Sequence, residues 1–218
     1  MHPVWPLDPD DVVPVLEQWG VAALFESYLH GRADEKDRAY RAFEPGKGML
    51  PVEIRQVFAT SKAANKQKVK DLVKDCNPGG KRTIVVGGLP IGLLVCGENN
   101  ILANRQSKGN EAYIRHNLKG ALFPHLKVVF NGAHTPMGNW GKLERRFEYL
   151  SRDRRWVFYA TNTDRTSWGR RVLRAYYNGR LIADSEAVKD ICPVVGKLVD
   201  GKVFLALRFD ILGKMLRA

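Results

Sequence analysis

The 218-residue sequence has no apolar run of the ~18–20 residues that a membrane-spanning helix needs. The longest candidate, residues 83–96, is interrupted by Gly87, Gly88, Pro90 and Gly92. The first residues are acidic and proline-rich, where a secretory signal would place basic and then apolar residues. Cysteine is scarce. Cys76, Cys96 and Cys192 lie far apart, odd in number and without a CxxC pair, which indicates neither a disulfide framework nor a zinc site. The five histidines include no HxH or HExxH spacing. No Glu is followed two residues later by Lys, and paired acids for a metal are missing, which argues against a nuclease. A reducing, cytoplasmic setting is expected, with no metal and no organic cofactor.

Charge of one sign is abundant, with 35 Lys+Arg against 23 Asp+Glu and a formal net charge of +12. It is unevenly spread: residues 1–50 carry a net −4 and residues 51–218 a net +16. That excess points to nucleic acid or another polyanion as one class of partner. The 44% hydrophobic content is that of a globular chain, and the length suits one domain, 1–218, with a sizeable core.

Patterning predicts helices over 8–19, 33–43, 62–74, 110–122 and 142–151. Strands are expected over 21–25, 52–60, 127–130, 156–160 and 202–209, with two hairpins, 83–86 with 91–95 and 172–177 with 180–183. Asn178-Gly179 is a strong two-residue hairpin signal. Strands alternating with helices make a layered α/β sheet the expected class. Several strands end on a reactive or polar residue: Phe25 before Glu26, Thr60 before Lys62, Val95 before Cys96, and Phe130 before Asn131. Strand ends of one polarity gather along one sheet edge, where α/β folds place their sites. Glu, Lys and Cys side chains distant in sequence are thereby expected to meet.

Cys96 stands in the segment Ile91-Gly92-Leu93-Leu94-Val95-Cys96-Gly97-Glu98. An apolar strand ending on Cys, then one residue, then an acid resembles the nucleophile segment of the nitrilase, or carbon–nitrogen hydrolase, superfamily. Val128-Val129-Phe130-Asn131 resembles its next strand, and residues 140–151 with 156–162 resemble its Arg-containing helix and following strand. Tyr177-Asn178-Gly179 is similar to its late hairpin and 203–210 to its closing strand. Upstream, residues 19–26 resemble the helix–strand–Glu segment, with Phe25 where the family usually has Pro. The likeness covers residues 83–210 best. The 36 residues from Glu26 to Lys62 are fewer than the family uses, implying a divergent member with an abbreviated N-terminal half.

The resemblance implies a single-domain α-β-β-α sandwich, a homodimer, and hydrolysis of a non-peptide carbon–nitrogen bond such as an amide. It implies Cys96 as nucleophile, Glu26 as general base and Lys62 as the cationic stabiliser. Glu98 resembles the family's acid after the nucleophile, either a substrate-binding candidate or an orienter of backbone, and Asn131 at a strand end and His134 just past one are the other substrate-binding candidates. That chemistry is physically coherent. A thiolate is the nucleophile, a carboxylate can take the thiol proton, and an ammonium favours both thiolate and oxyanion. Each residue also has a plainer reading. A buried Cys is most often a small hydrophobe, Glu26 and Asn131 can end strands, and Lys62 competes with a solvated run of lysines. The alternative function is a catalytically inactive relative whose basic surface binds nucleic acid, with Trp140, Trp156 and Trp168 interleaved among arginines.

Overall fold

A computed structural model describes residues 9–20, 22–28, 38–133, 139–161, 173–184, 194–197 and 203–206. The chain is mixed α/β. Helix α1 (Pro9–Gln18) precedes strands β1 (Ala23–Tyr28), β2 (Arg38–Glu44) and β3 (Gly48–Met49), which form a small antiparallel sheet. Helix α2 (Lys66–Asp75) follows. The larger sheet has six strands: β4 (Thr83–Val86), β5 (Leu89–Val95), β8 (Val128–Ala133), β9 (Trp156–Thr161), β10 (Leu173–Tyr177) and β11 (Arg180–Asp184). Between β5 and β8 comes a small hairpin of β6 (Leu102–Arg105) and β7 (Glu111–Ile114), and between β8 and β9 helix α3 (Trp140–Leu150). Strands β12 (Val194–Lys197) and β13 (Val203–Ala206) pair with each other.

The three central strands, β5, β8 and β9, are parallel, and the outer pairs are antiparallel. Ile91–Val95 are all buried, as a central strand covered on both faces requires. The period of two assigns the faces. Leu94, Val129, Val157, Tyr159 and Tyr176 join a core with α2 (Val69, Leu72) and α3 (Leu143, Phe147, Leu150). Ile91, Leu93, Val95, Val128, Trp156 and Ala175 join a second core with Ala42 and Ile54, so the small sheet covers the opposite face. Both turns of the large sheet's hairpins take positive φ at two successive residues, Gly87-Gly88 and Asn178-Gly179. That backbone matches the twist of the strands it joins.

Several sequence expectations are corrected. Residues 38–43 of the expected helix 33–43 lie in β2: Ala39, Ala42 and Phe43 are buried and pair with β1, and this sheet packing outweighs helix propensity. Residues 52–60 make only a bridge from Ile54 to Tyr40. Residues 110–122 hold β7 and a short 3₁₀ turn, because Asn110, His116 and Asn117 all have positive φ, which ends any helix. Strand β1 does not stop at Phe25 but runs through Glu26 to Tyr28. Among the described residues no helix is long and apolar enough to cross a membrane.

Candidate active site

The site is built where β5 ends. Cys96 opens a 3₁₀ turn, Cys96–Ile101, and has φ +44°. A non-glycine residue in the left-handed region costs ~1–3 kcal/mol and persists only where its surroundings impose it. Here the surroundings are explicit. Gly97 is pressed against the backbone of Ala59, and a Cβ at Gly97 would overlap that carbonyl. Glu98 is 0% exposed. One carboxylate oxygen accepts from the Val57 N–H at 2.6 Å and from the Arg82 guanidinium at 2.6 Å, and the other accepts from the Val95 N–H at 2.8 Å. Arg82 also donates to the Arg55 carbonyl at 2.8 Å. Residues 55–57, Arg82 and the end of β5 are thus tied through one carboxylate. Burial pushes the Glu98 carboxyl up to about 7, against the pull of Arg82 and the two backbone N–H groups.

Asn131 secures the turn from β8. Its amide donates to the Leu94 carbonyl at 2.9 Å and to the Cys96 carbonyl at 3.4 Å, and its oxygen accepts from Asn99 at 3.2 Å. The far end of the turn is closed by arginines. Arg146 of α3 donates to Asn104 Oδ1 at 2.9 Å and Asn100 Oδ1 at 3.0 Å, and Arg115 donates to the Asn100 carbonyl at 2.7 Å. Burial, and then the neighbouring Arg115, hold the Arg146 guanidinium down to about 10.

Glu26 comes to this place from the small sheet. It shares the face of Leu24, which packs on the second core, and its register partner on β2 is Tyr40. Tyr40 packs in the same core, and a Cβ on Gly132 would overlap its hydroxyl. Gly132 is the register partner of Val95, the residue before Cys96. Burial pushes the Tyr40 phenol well above its usual value, and the charges of Glu26, then Cys96 and then Glu98, act in the same direction.

The expected residues are not all brought together. Lys62 lies in the turn at 61–63, three residues past Ala59, with an exposed side chain. It makes no hydrogen bond or ion pair with Glu26 or Cys96. Glu98 and Asn131, the expected substrate-binding candidates, have their polar atoms engaged in hydrogen bonds around the turn. Both side chains are fully buried. His134 lies outside the described residues, as does Cys192. Cys76 is fully buried at the end of α2, and that burial pushes its thiol well above the usual value, so it is the inert cysteine of the pair described. Among the described residues no three His, Cys, Asp or Glu side chains gather to hold a metal.

Sequence reasoning passed over Tyr40, Arg82, Gly97 and Gly132. Tyr40 was hidden inside a segment read as a helix. The Gly after Cys96 was the one available signal for a tightly packed turn. No family model, curated protein or solved structure matches the chain, so the functional reading stands on this geometry and the sequence resemblance.

Proposed function

We propose that the protein is a nitrilase-like hydrolase of non-peptide carbon–nitrogen bonds, most simply amides, with Cys96 as nucleophile. The observation that carries this is the left-handed backbone of Cys96 at the C-terminal end of a central parallel strand, imposed by a buried carboxylate and a buried amide. A nucleophile on a strained strand-to-turn junction stands clear of its sheet, the arrangement that exposes the serine of α/β-hydrolases. Glu26, the register partner of Tyr40 on the small sheet, serves as base. It takes the thiol proton as sulfur attacks the carbonyl carbon, then delivers it to the nitrogen as the C–N bond breaks. The amine leaves, and water attacks the thioester, with its proton passing to Glu26, to regenerate the thiol and release the acid.

This reading carries the finer architecture with it. The helix-covered large sheet and the small sheet packed on its other face would be part of an α-β-β-α sandwich, one domain over 1–218. The family resemblance adds a cytoplasmic homodimer without cofactor. Steady-state hydrolysis of a panel of small amides tests the proposal. Activity lost in both Cys96→Ala and Glu26→Gln, with melting unchanged, supports it. Activity retained in either variant removes that residue's role.

A second reading is favoured by one observation, the exposed and unengaged Lys62. A relative lacking the catalytic cation would be an inactive module binding nucleic acid through the net +16 of residues 51–218. Its signature is oligonucleotide affinity that falls steeply with salt.

A further inference from the structure

Two arginines meet at the far end of the turn that Cys96 opens. Arg115, from the 3₁₀ turn Arg115–Asn117, donates its Nε–H to the Asn100 carbonyl at 2.7 Å. Arg146, from α3, donates from Nη1 to Asn100 Oδ1 at 3.0 Å and from Nε to Asn104 Oδ1 at 2.9 Å. Both guanidiniums thus converge on the two oxygens of one asparagine, and every one of these acceptors is neutral.

Among the described residues neither arginine makes an ion pair. The carboxylates on neighbouring elements are committed elsewhere. Glu98 holds Arg82, Glu144 of α3 holds Arg174, and Glu148 of α3 holds Arg145. Glu111 of β7 lines a groove with Lys108, Arg145 and Arg152, to which neither Arg115 nor Arg146 contributes. Both arginines are half-buried. Two like charges drawn partly out of water are costly unless a negative group offsets them. The cost shows at Arg146, which burial and then Arg115 hold down to about 10, still a cation at neutral pH. Donors remain on both side chains. The two Nη groups of Arg115 and Nη2 of Arg146 make no hydrogen bond among the described residues. Planar donor forks of this kind suit the oxygens of a carboxylate or phosphate.

We propose that Arg115 and Arg146, converging on Asn100, form a binding site for one small divalent oxyanion, phosphate or a dicarboxylate. Its two negative charges match the two guanidiniums, and the remaining Nη donors supply hydrogen bonds that Asn100 and Asn104 leave unused. Half-burial of both side chains selects a small ligand over a polymer backbone, which is met by exposed lysines and arginines. Bound there, the anion fastens α3 and the Arg115 turn to the segment Cys96–Ile101. The site requires no chemistry at Cys96.

The test is a phosphate titration of the full chain at constant ionic strength, followed by the arginine Nε–Hε signals in NMR and by thermal melting. The Arg115 and Arg146 signals should move with one saturating midpoint. Near saturation the melting temperature should rise by about 2 °C or more, and malonate should act alike. Chloride at the same ionic strength should do neither. Arg146→Gln also cuts the ties to Asn100 and Asn104 and can unfold the turn, so the decisive variant is Arg115→Gln. It should weaken phosphate binding about tenfold or more, as loss of a charged hydrogen bond does. Shifts that never saturate, that chloride reproduces, or that Arg115→Gln leaves unchanged overturn the site. So does a single-stranded oligonucleotide that displaces phosphate at equal phosphate concentration, which would assign the arginines to a nucleic-acid backbone. The titration involves no turnover, so its outcome is independent of whether Cys96 acylates.

Discussion

The carboxylate of Glu98 reaches back three residues to accept the N–H of Val95 at 2.8 Å, while its other oxygen holds Arg82 at 2.6 Å. The strand end before Cys96 and the buried base of the turn after it are thereby one unit. Removing that carboxylate leaves Arg82 as a buried, uncompensated cation. Glu98→Ala should destabilise the protein by about 3–5 kcal/mol, the usual consequence of breaking a buried pair. Denaturant unfolding measures it. A loss below about 1 kcal/mol would mean that the pair is not closed in solution.

The same carboxyl sets a pH dependence of unusual sign. Burial raises it from an ordinary 4.5 to about 7 in the folded protein. Between those values the folded chain retains a proton that the unfolded chain has released. Stability therefore falls as pH rises through this window and levels off above about 7. Urea melts from pH 4.5 to 8 should show that slope in the parent and a flatter one in Glu98→Gln. A parent whose stability rises across the window, with Glu98→Gln again flatter, would mean that Arg82 wins over burial.

Strain at Cys96 has its own signature. At φ +44° a glycine is at ease and an alanine is not. Cys96→Gly should be more stable than Cys96→Ala by about 1 kcal/mol, the reverse of the order at an ordinary strand end. Thermal melts of the two variants side by side decide it.

Two glycines close the site by lacking side chains. Gly97→Ala would meet the Ala59 carbonyl, which is backbone and cannot swing aside. Gly132→Ala would meet the Tyr40 hydroxyl, a side-chain tip. Gly97→Ala should thus be the more damaging. Tyr40→Phe in the Gly132→Ala background should restore part of the lost stability, measured as the coupling in a double-mutant cycle. Additive losses would contradict the close approach of Tyr40 to Gly132.

The large sheet was legible in the sequence because its signals are local. Residues 91–95 are a bounded apolar run, Gly87-Gly88 and Asn178-Gly179 are hairpin turns, and α3 begins within two residues of where its periodicity predicts. Cys96 fell at a strand end for the same reason, whereas β8 does not end before Asn131 as expected but runs through it to Ala133. Residues 38–44 were misread because Arg38, Arg41 and Glu44 give the segment a helix-like charge pattern, while its strand identity comes from pairing with β1. The partner choices of Glu98 and Tyr40 were beyond reach. Each depends on registers between segments more than ten residues apart, which one sequence does not encode locally.

The central claim is that Cys96 forms a thioester with an acyl donor. The direct measurement is to quench the native protein with an activated aryl ester or amide within one turnover and map the acyl group by mass spectrometry. The account predicts acylation on the peptide containing Cys96, absent in Cys96→Ala and much reduced in Glu26→Gln, with Cys76 unmodified. Acyl groups found only on surface lysines, or on Cys76 as readily as on Cys96, would contradict it.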